Sequence, residues 1–408
     1  MLPDKDMCTG CMACANICSK KCISFEYDEE GFWQPSIDND KCIKCNLCTS
    51  VCPVLKDNSF DNENNPICFA VQDKEIDNLR ISSSGGIFGV VAEYVIKQNG
   101  VVYGAIYDND SSVIYGKAEN KEELKKIRGT KYVQANVGDK YNEAMQDLKE
   151  GRWVLFTGTP CIIAGLYNLL ELKKINSSKL ITMDLICHGV PSPFQFRMMI
   201  SYFEKKDSKK VKKFIFRPKT LGWGPVVSFR QPEILCEDET AINIGKYDRV
   251  YAFFYAFLQN LNLRRSCYKC KFAKLPRVAD FTIGDFWGIE EYTKFPFNKT
   301  LGLSCVLINN TKAEEVFNII AKKMNIKEEP IDIVKQHNGN LINGIRSDAG
   351  RKDFYEYYNE HSWEETQCYV SKILKRNDLI GRTKEMINHL IGDNNWERLK
   401  KIIRRGNK

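Results

Sequence analysis

Long hydrophobic runs are missing from this sequence of 408 residues. The longest apolar stretch, Val250 to Leu258, has nine residues, whereas a membrane-spanning helix needs about 18. The first residues also lack the basic and then apolar pattern of a signal peptide. With 43% hydrophobic and 27% charged residues, the composition is that of a globular protein. These absences predict a cytoplasmic protein without a transmembrane segment.

A strong excess of one charge is missing as well. The whole chain carries +8, and because residues 1–55 carry −3, the remainder carries +11. A basic surface attracts phosphates, acidic coenzymes or nucleic acid. The excess is modest for a chain of this size, and dispersed, solvated lysines account for it. We therefore expect no nucleic-acid partner.

Cysteine, by contrast, is abundant, with 17 residues of which nine fall within the first 52. Secreted disulfide scaffolds are usually short and have an even number of cysteines. This chain is long and its thiols cluster at tight spacings. Such spacings are typical of metal binding, which indicates a reducing compartment.

There are two cysteine runs, Cys8-x2-Cys11-x2-Cys14-x3-Cys18 and Cys42-x2-Cys45-x2-Cys48-x3-Cys52. Their spacing resembles that of bacterial ferredoxins that bind two 4Fe-4S clusters, and the resemblance covers about residues 3–56. Three thiolates on one short loop reach three corners of a cubane, and the last cysteine of each run serves the other cluster. Eight thiolates exceed one tetrahedral zinc site. We predict a first cysteine group and a second cysteine group: Cys8, Cys11, Cys14 and Cys52, then Cys42, Cys45, Cys48 and Cys18.

One residue departs from the ferredoxin pattern. Cys22 stands where that family usually has a small residue, so it is either a buried, inert thiol or an alternative ligand. Residues 22–27 and 32–37 are expected to pair as a small hairpin. These features predict an α+β ferredoxin-type domain over residues 1–56, and the polar residues 57–66 form a linker.

The pattern then changes to strand, glycine-rich turn and helix. A strand near residues 66–72 is followed by the turn Ser82-Ser83-Ser84-Gly85-Gly86, a helix from Ile87, and a strand at Val101–Tyr107. Free backbone N–H groups and hydroxyls at such a turn suit a phosphate, but simple helix capping explains the same residues. Both interpretations stay open.

Two further units repeat this pattern, with strands at 153–156 and 180–186 and helices at 162–172 and 194–203. Repeated strand–loop–helix units predict a mixed α/β domain with parallel strands. Ligands of such sheets lie at the loops after the strands. Both loops here contain a cysteine, Cys161 and Cys187.

Six motifs follow one another along the chain: Ser82–Gly86, Arg128–Val133, Thr157–Cys161, Asp184–Ser192, Ser266–Cys270 and Gly284–Gly288. In this order they resemble the beta subunit family of coenzyme F420 hydrogenase and dehydrogenase. Residues 67–150 resemble its N-terminal region and residues 151–310 its C-terminal region.

The resemblance implies an iron–sulfur flavoprotein in which FAD exchanges a hydride with a substrate, the deazaflavin coenzyme in the founding members. The pattern G-x-G-x-x-G is absent, so FAD is implied by the resemblance and not by a dinucleotide motif. Lys131 would hold the pyrophosphate or an acidic substrate, and Tyr132 would stack on a ring. The implied FAD-binding residues are Ser82, Ser83, Ser84, Gly85, Gly86, Lys131, Tyr132, Thr157, Gly158 and Thr159.

The family motifs also contain four cysteines, which we name the third cysteine group: Cys161, Cys187, Cys267 and Cys270. Four thiolates suffice for a third 4Fe-4S cluster. A structural zinc ion, or no metal, are the alternatives. The remaining Cys68, Cys236, Cys305 and Cys368 show no ligand spacing and are expected in the core.

Candidate chemistry beyond the cysteines is sparse. Among four histidines, only His188 lies in a motif, and it either serves catalysis or orients the loop around Cys187. Arg277, Asp280 and Asp285 are expected to form a charge network or, alternatively, ordinary salt bridges beside a strand.

The C-terminal region, residues 311–408, is charged and helical in pattern, with helices predicted at 313–325, 348–360 and 364–374 and a basic helix from Trp396. That last helix either touches a partner or membrane surface or is simply solvated.

From all these features we predict an oxidoreductase that passes electrons between 4Fe-4S clusters and FAD. Its partners would be a redox protein and a small-molecule or coenzyme substrate. The alternatives are a non-catalytic relay subunit of a larger complex, or a redox or structural protein of polysaccharide biosynthesis.

Overall fold

The protein is described by a computed structural model that covers residues 2–56, 60–108, 111–220, 222–224, 232–245, 251–289, 297–345 and 350–391. Its strands are β1 (Ile23–Tyr27), β2 (Trp33–Ile37), β3 (Ile67–Asp73), β4 (Val101–Tyr107), β5 (Val113–Ala118), β6 (Val154–Gly158), β7 (Leu180–Leu185), β8 (Val211–Ile215), β9 (Glu233–Cys236), β10 (Ala241–Asn243), β11 (Phe281–Asp285), β12 (Ser304–Ile308) and β13 (Met324–Glu328).

The helices are α1 (Ala13–Ile17), α2 (Leu47–Val51), α3 (Ile76–Arg80), α4 (Ile87–Lys97), α5 (Lys121–Ile127), α6 (Lys140–Lys149), α7 (Pro160–Leu172), α8 (Pro193–Asp207), α9 (Tyr251–Leu258), α10 (Thr311–Ile320), α11 (Ile331–His337), α12 (Arg351–Glu360) and α13 (Trp363–Ile391). Short 3-10 helices include Arg265–Lys269.

The N-terminal part, which we call the head (residues 2–56), folds from its two cysteine runs in the same way twice. In each run the residue directly before a five-residue helix is in the left-handed region, Met12 at φ 65° and Asn46 at φ 62°. Each helix then ends at an extended cysteine, Cys18 or Cys52. Between the runs, β1 and β2 form the predicted antiparallel hairpin.

The rest of the chain, which we call the body (residues 60–391), is built on an eight-stranded sheet. Its strand order is β13-β3-β12-β11-β7-β6-β4-β5. The neighbours β11, β7, β6 and β4 are parallel, as the repeated strand–loop–helix units predicted, while β5, β12 and β13 run antiparallel to their neighbours. The carboxyl ends of β3, β4, β6, β7 and β11 therefore share one edge, and the mixed α/β prediction is confirmed.

Strand periodicity explains how the sheet is covered on both faces. In β6, Leu155 packs with α4 and α5, whereas Val154 and Phe156 pack on the opposite face with α6 and α7. Successive side chains of a strand point to opposite faces. Because both faces are buried, the strand reads as a continuous apolar run.

The C-terminal region contains a strand that the helical prediction missed. The predicted helix at 313–325 ends at Ile320, and after a short 3-10 turn β13 pairs with β3, with Met324 opposite Asp73. Edge pairing to a distant strand overrides the local helical pattern here. The predicted helices at 348–360 and 364–374 correspond to α12 and α13. The basic helix predicted from Trp396 lies outside the described residues.

The head is docked on the body by buried polar contacts. Buried Glu30 accepts hydrogen bonds from Arg351 of α12 at 2.5 and 3.1 Å, and Ser192 Oγ donates to Gly31 O at 2.9 Å. Asn168 of α7 donates to Val51 O at 3.1 Å. In the described part of the chain, no helix has the length and apolar character needed to span a membrane.

Candidate functional site

The four members of the first cysteine group all line one small cavity. Burial raises the pKa of Cys11, Cys14 and Cys52, and the charges of the neighbouring thiols raise it further. A donor set in which three thiols resist ionisation in this way needs a compensating cation, which a cluster supplies. These residues therefore fit a 4Fe-4S cluster.

Helix α7 of the body holds this group from the other side. A Cβ placed on Gly165 would lie 3.4 Å from Cys11 Sγ and 3.3 Å from the Cβ of Ala13. The small residue lets α7 approach α1 closely. The charge of Cys161, at the start of α7, contributes to the raised pKa of Cys11. The first and third cysteine groups are therefore neighbours.

The second cysteine group lies nearer to solvent. Cys45 is exposed, and Cys18, Cys42 and Cys48 are half-buried. Cys22 lies beside Cys18, the member of this group that comes from the first run, and their Sγ atoms are 3.3 Å apart. The hydrogen bond with Cys18 raises the pKa of Cys22 to about 11, and Cys42 acts in the same direction. Cys22 thus lies among the predicted ligands, which suits its interpretation as an alternative ligand.

The third cysteine group is assembled from distant parts of the chain. Cys161 and Cys187 follow β6 and β7, and Cys267 and Cys270 lie in and directly after the 3-10 helix Arg265–Lys269. Burial raises the pKa of Cys187 well above its ordinary value, and Cys267, Cys161 and Cys270 contribute in that order. The prediction that these four residues converge is consistent with this geometry.

Zinc is a poorer match to the third group. A single zinc ion needs ligand sulfurs about 2.3 Å from the metal. Within the described residues, no three His, Cys, Asp or Glu side chains gather in a way that holds one metal ion. A cubane spreads its four ligands over separate iron corners, so this donor set suits a cluster better than one ion.

The serine turn predicted for FAD is largely occupied by the protein itself. Ser82 Oγ donates to Asn78 O, Ser83 Oγ accepts from Thr130 N, and Ser84 Oγ donates to Leu303 O. Within the described residues, the backbone N–H groups of residues 83–86 donate to no backbone carbonyl. The turn therefore has backbone N–H groups available to a phosphate, but its three hydroxyls already form hydrogen bonds within the protein.

Two neighbours make this turn less suited to a phosphate. A Cβ on Gly85 would lie 2.2 Å from Val71 O, so this glycine packs on the sheet, and the Asp73 carboxylate lies beside Gly86. Burial raises the pKa of Asp73. A carboxylate next to the start of α4 competes with any other anion for that helix end. The side chains present do not fit a ready phosphate cradle.

The other predicted FAD residues are also engaged. Lys131 Nζ donates to four carbonyls at the end of α5, at 3.0 to 3.3 Å. Tyr132 packs on Phe216, Phe254 and Phe257. At the end of β6, the hydroxyls of Thr157 and Thr159 contact Tyr103 O and Cys161 Sγ, and Gly158 lies against Tyr115. FAD binding at these positions stays a prediction.

His188 is half-buried behind the third group. Asn340 Nδ2 lies 3.1 Å from its Nδ1, and Phe257 packs edge-on at 5.0 Å. Burial lowers its pKa, which keeps the ring neutral at pH 7. Its Nε2 has no hydrogen-bond partner within the described residues. These contacts suit a role in orienting the Cys187 loop and leave one ring nitrogen for another group.

The expected charge network of Arg277, Asp280 and Asp285 is divided between two ends of β11. Asp285 pairs with Arg217 at 2.6 Å and accepts from Trp223 Nε1 at 2.8 Å. At the other end, Asp280 accepts from Thr182. Arg277 instead pairs with Asp184 at 3.2 Å. Sequence reasoning missed Arg217 and Asp184 as partners, because they lie far away along the chain.

The comparisons with known proteins agree with the two resemblances. Residues 151–333 match the family described as the C terminus of the coenzyme F420 hydrogenase/dehydrogenase beta subunit, and the match extends past the predicted limit near residue 310. Residues 7–55 match the family described as 4Fe-4S dicluster domain. Both resemblances are confirmed.

No curated protein matches the chain. A chain of the xenon-derivatized F420-reducing NiFe hydrogenase complex from Methanosarcina barkeri is similar at 16% identity and a TM-score of 0.45. The match covers 73% of this chain and 95% of that one.

Proposed function

We propose that this chain, which resembles a 4Fe-4S dicluster domain in its head and the C-terminal region of a coenzyme F420 hydrogenase/dehydrogenase beta subunit in its body, is an oxidoreductase that transfers electrons between a redox partner at the surface of its head and a substrate bound by its body. The observation that carries the proposal is the proximity of the three cysteine groups. The charge of Cys48 in the second group raises the pKa of Cys52 in the first, and the charge of Cys161 in the third group raises the pKa of Cys11.

The two groups of the head differ in exposure. Cys45 of the second group is exposed, and Cys8, Cys11 and Cys52 of the first group are buried. The members of the third group are half-buried. When bound, 4Fe-4S clusters supply one-electron transfer, and FAD would add hydride exchange. The protein holds the thiols, keeps water from most of the first group and leaves the second group open to a partner.

The body would supply the substrate site at the carboxyl edge of its sheet. The loops after β6 and β7 carry Cys161 and Cys187, and Asp285 ends β11 at the same edge. Ligands of open α/β sheets bind at this edge. We propose a coenzyme of the deazaflavin type or another hydride acceptor as the substrate. FAD, when bound, would supply the hydride chemistry that one-electron clusters lack.

A non-catalytic relay subunit is the second candidate. The hydroxyls and the lysine predicted to hold FAD are engaged in protein contacts, which favours a chain that carries electrons without a flavin. Such a chain would be inactive alone and would copurify with a larger subunit. The oxidoreductase would contain flavin and act on a coenzyme by itself.

Anaerobic purification with iron, sulfide and flavin analysis tests both candidates, and a cysteine variant tests the third group. Cys267→Ala is expected to lose about four irons from a total of about twelve, because three thiolates do not complete the ligand set. Cys236→Ala is the matched control, since Cys236 is fully buried in β9 and lies outside the three groups. Equal iron contents in the two variants would contradict a third cluster, and a lack of flavin would favour the relay.

A further inference from the structure

Arg264 is a buried cation at the junction between the head and the body. Only 1% of its surface is exposed, whereas 39% of the side chain of the next residue, Arg265, is exposed. Arg264 Nε donates to Cys8 O at 2.6 Å, and its Nη1 donates to Gln134 Oε1 at 3.2 Å. The guanidinium is therefore held directly against the loop of the first cysteine group.

The backbone of Arg264 is tied to the third cysteine group. Its N–H donates to Val190 O at 2.9 Å, in the loop that carries Cys187, and its carbonyl accepts from Cys267 N at 2.9 Å. Arg264 thus contacts both groups, with its side chain at the first group and its backbone at the third.

The charge of Arg264 is not balanced by a carboxylate. Within the described residues it forms no ion pair, and its Nη2 has no hydrogen-bond partner. An arginine stays charged inside a protein, and an unpaired buried charge costs several kcal/mol. The negative charge that would balance it must come from something that binds here, and thiolates around a cluster carry such charge.

We propose that Arg264 is a positioning and tuning residue that raises the reduction potentials of the clusters held by the first and third cysteine groups. Reduction adds one negative charge to a cluster. A fixed cation nearby in a low-dielectric interior stabilises that added charge. This inference rests on the proposed function for the third group only, because the contact with Cys8 belongs to the first group.

The test is a redox titration of the anaerobically purified full chain, followed by electron paramagnetic resonance. In Arg264→Gln, the ratio of reduced to oxidised cluster at a given potential should fall about tenfold, which is 59 mV for a one-electron couple. Arg265→Gln removes the same charge one residue away, where solvent and Glu30 already screen it. That control should move the ratio much less.

A second variant protects the test against misfolding. Gln134→Glu keeps the size of the side chain that touches Arg264 Nη1 and places a carboxylate there, so it should also lower the reduced fraction. Arg264→Lys, which keeps the charge, should restore it. The inference is overturned if Arg264→Gln and Gln134→Glu show the same ratio of reduced to oxidised cluster as Arg265→Gln.

Iron analysis separates this inference from the proposed function. About eight irons in the wild-type chain would show that it has no third cluster. The lower ratio of reduced to oxidised first cluster in Arg264→Gln would still be expected. About twelve irons with no change in either ratio would reject the role of Arg264 and leave the proposed function intact.

Discussion

The two cysteine runs of the head share one spacing and one local structure but lie in different surroundings. In both, a left-handed residue precedes a five-residue helix that ends at an extended cysteine. Cys8 and Cys11 of the first run are buried under the body, whereas Cys45 of the second is exposed. Spacing within the chain therefore brings the thiols of one run together, while packing decides whether those thiols face solvent or the protein interior.

The largest expected effect is a loss of iron from either run, and the loss of stability that accompanies it should differ between the two runs. Cys11→Ala and Cys45→Ala should each lose about four irons, because each removes one of four ligands. Cys11→Ala should also lower the melting temperature more, since it empties space between α1 and α7. Iron analysis and thermal unfolding measure both outcomes. Equal losses of stability would show that the burial of the first run contributes nothing.

The next effect concerns the ion pairs that hold the head on the body. Glu30→Gln should destabilise the chain by about 3 kcal/mol, because it leaves the charge of Arg351 buried without its partner. The exposed neighbour Glu29 provides the control, and Glu29→Gln should cost less than about 1 kcal/mol. Denaturant unfolding measures the difference. Similar values for the two variants would mean that the head is held by apolar packing alone.

The same contact gives the chain a pH dependence. Burial acts to raise the pKa of Glu30, but hydrogen bonds from Arg351 and Arg265 outweigh it, so the folded-state pKa lies below the ordinary 4.5. Its contribution to stability is complete above about pH 4.5 and is lost as the pH falls through the lower folded-state pKa. Unfolding measured between pH 6 and pH 3 should show this loss in the wild type and a weaker one in Glu30→Gln.

The smallest expected effect tests the close approach of α7 to the first run. Gly165→Val should destabilise the chain by about 2 kcal/mol, because its side chain would press on Cys11 and Ala13. Gly245→Val is the control, since no described residue lies within 4 Å of a Cβ placed on Gly245. Thermal unfolding and the spectrum of the first cluster would report the change. An unchanged Gly165→Val would place α1 and α7 farther apart than described.

Much of the fold was predictable, and the exceptions share a cause. The hairpin of the head, the parallel strands and the helices α4 and α7 follow from periodicity and turn residues. The strand β13 was missed because its pairing with β3 lies far away in sequence. The hydroxyls of Ser82 and Ser84 and the amine of Lys131 were predicted to face a phosphate. The structure instead satisfies them with carbonyls of α3, β12 and α5 and their flanking loops, which no local pattern reveals.

The spacing within each run keeps the thiols of that run close together, because the covalent chain limits how far apart they can lie. The strands and helices likewise follow from apolar periods, which are local properties. Only the tertiary structure decided which run is buried, that Cys161 lies near Cys11, and that Arg264 reaches Cys8 across 256 residues of chain. Such contacts depend on packing between distant segments, and the burial they produce sets the charge balance on which electron transfer depends.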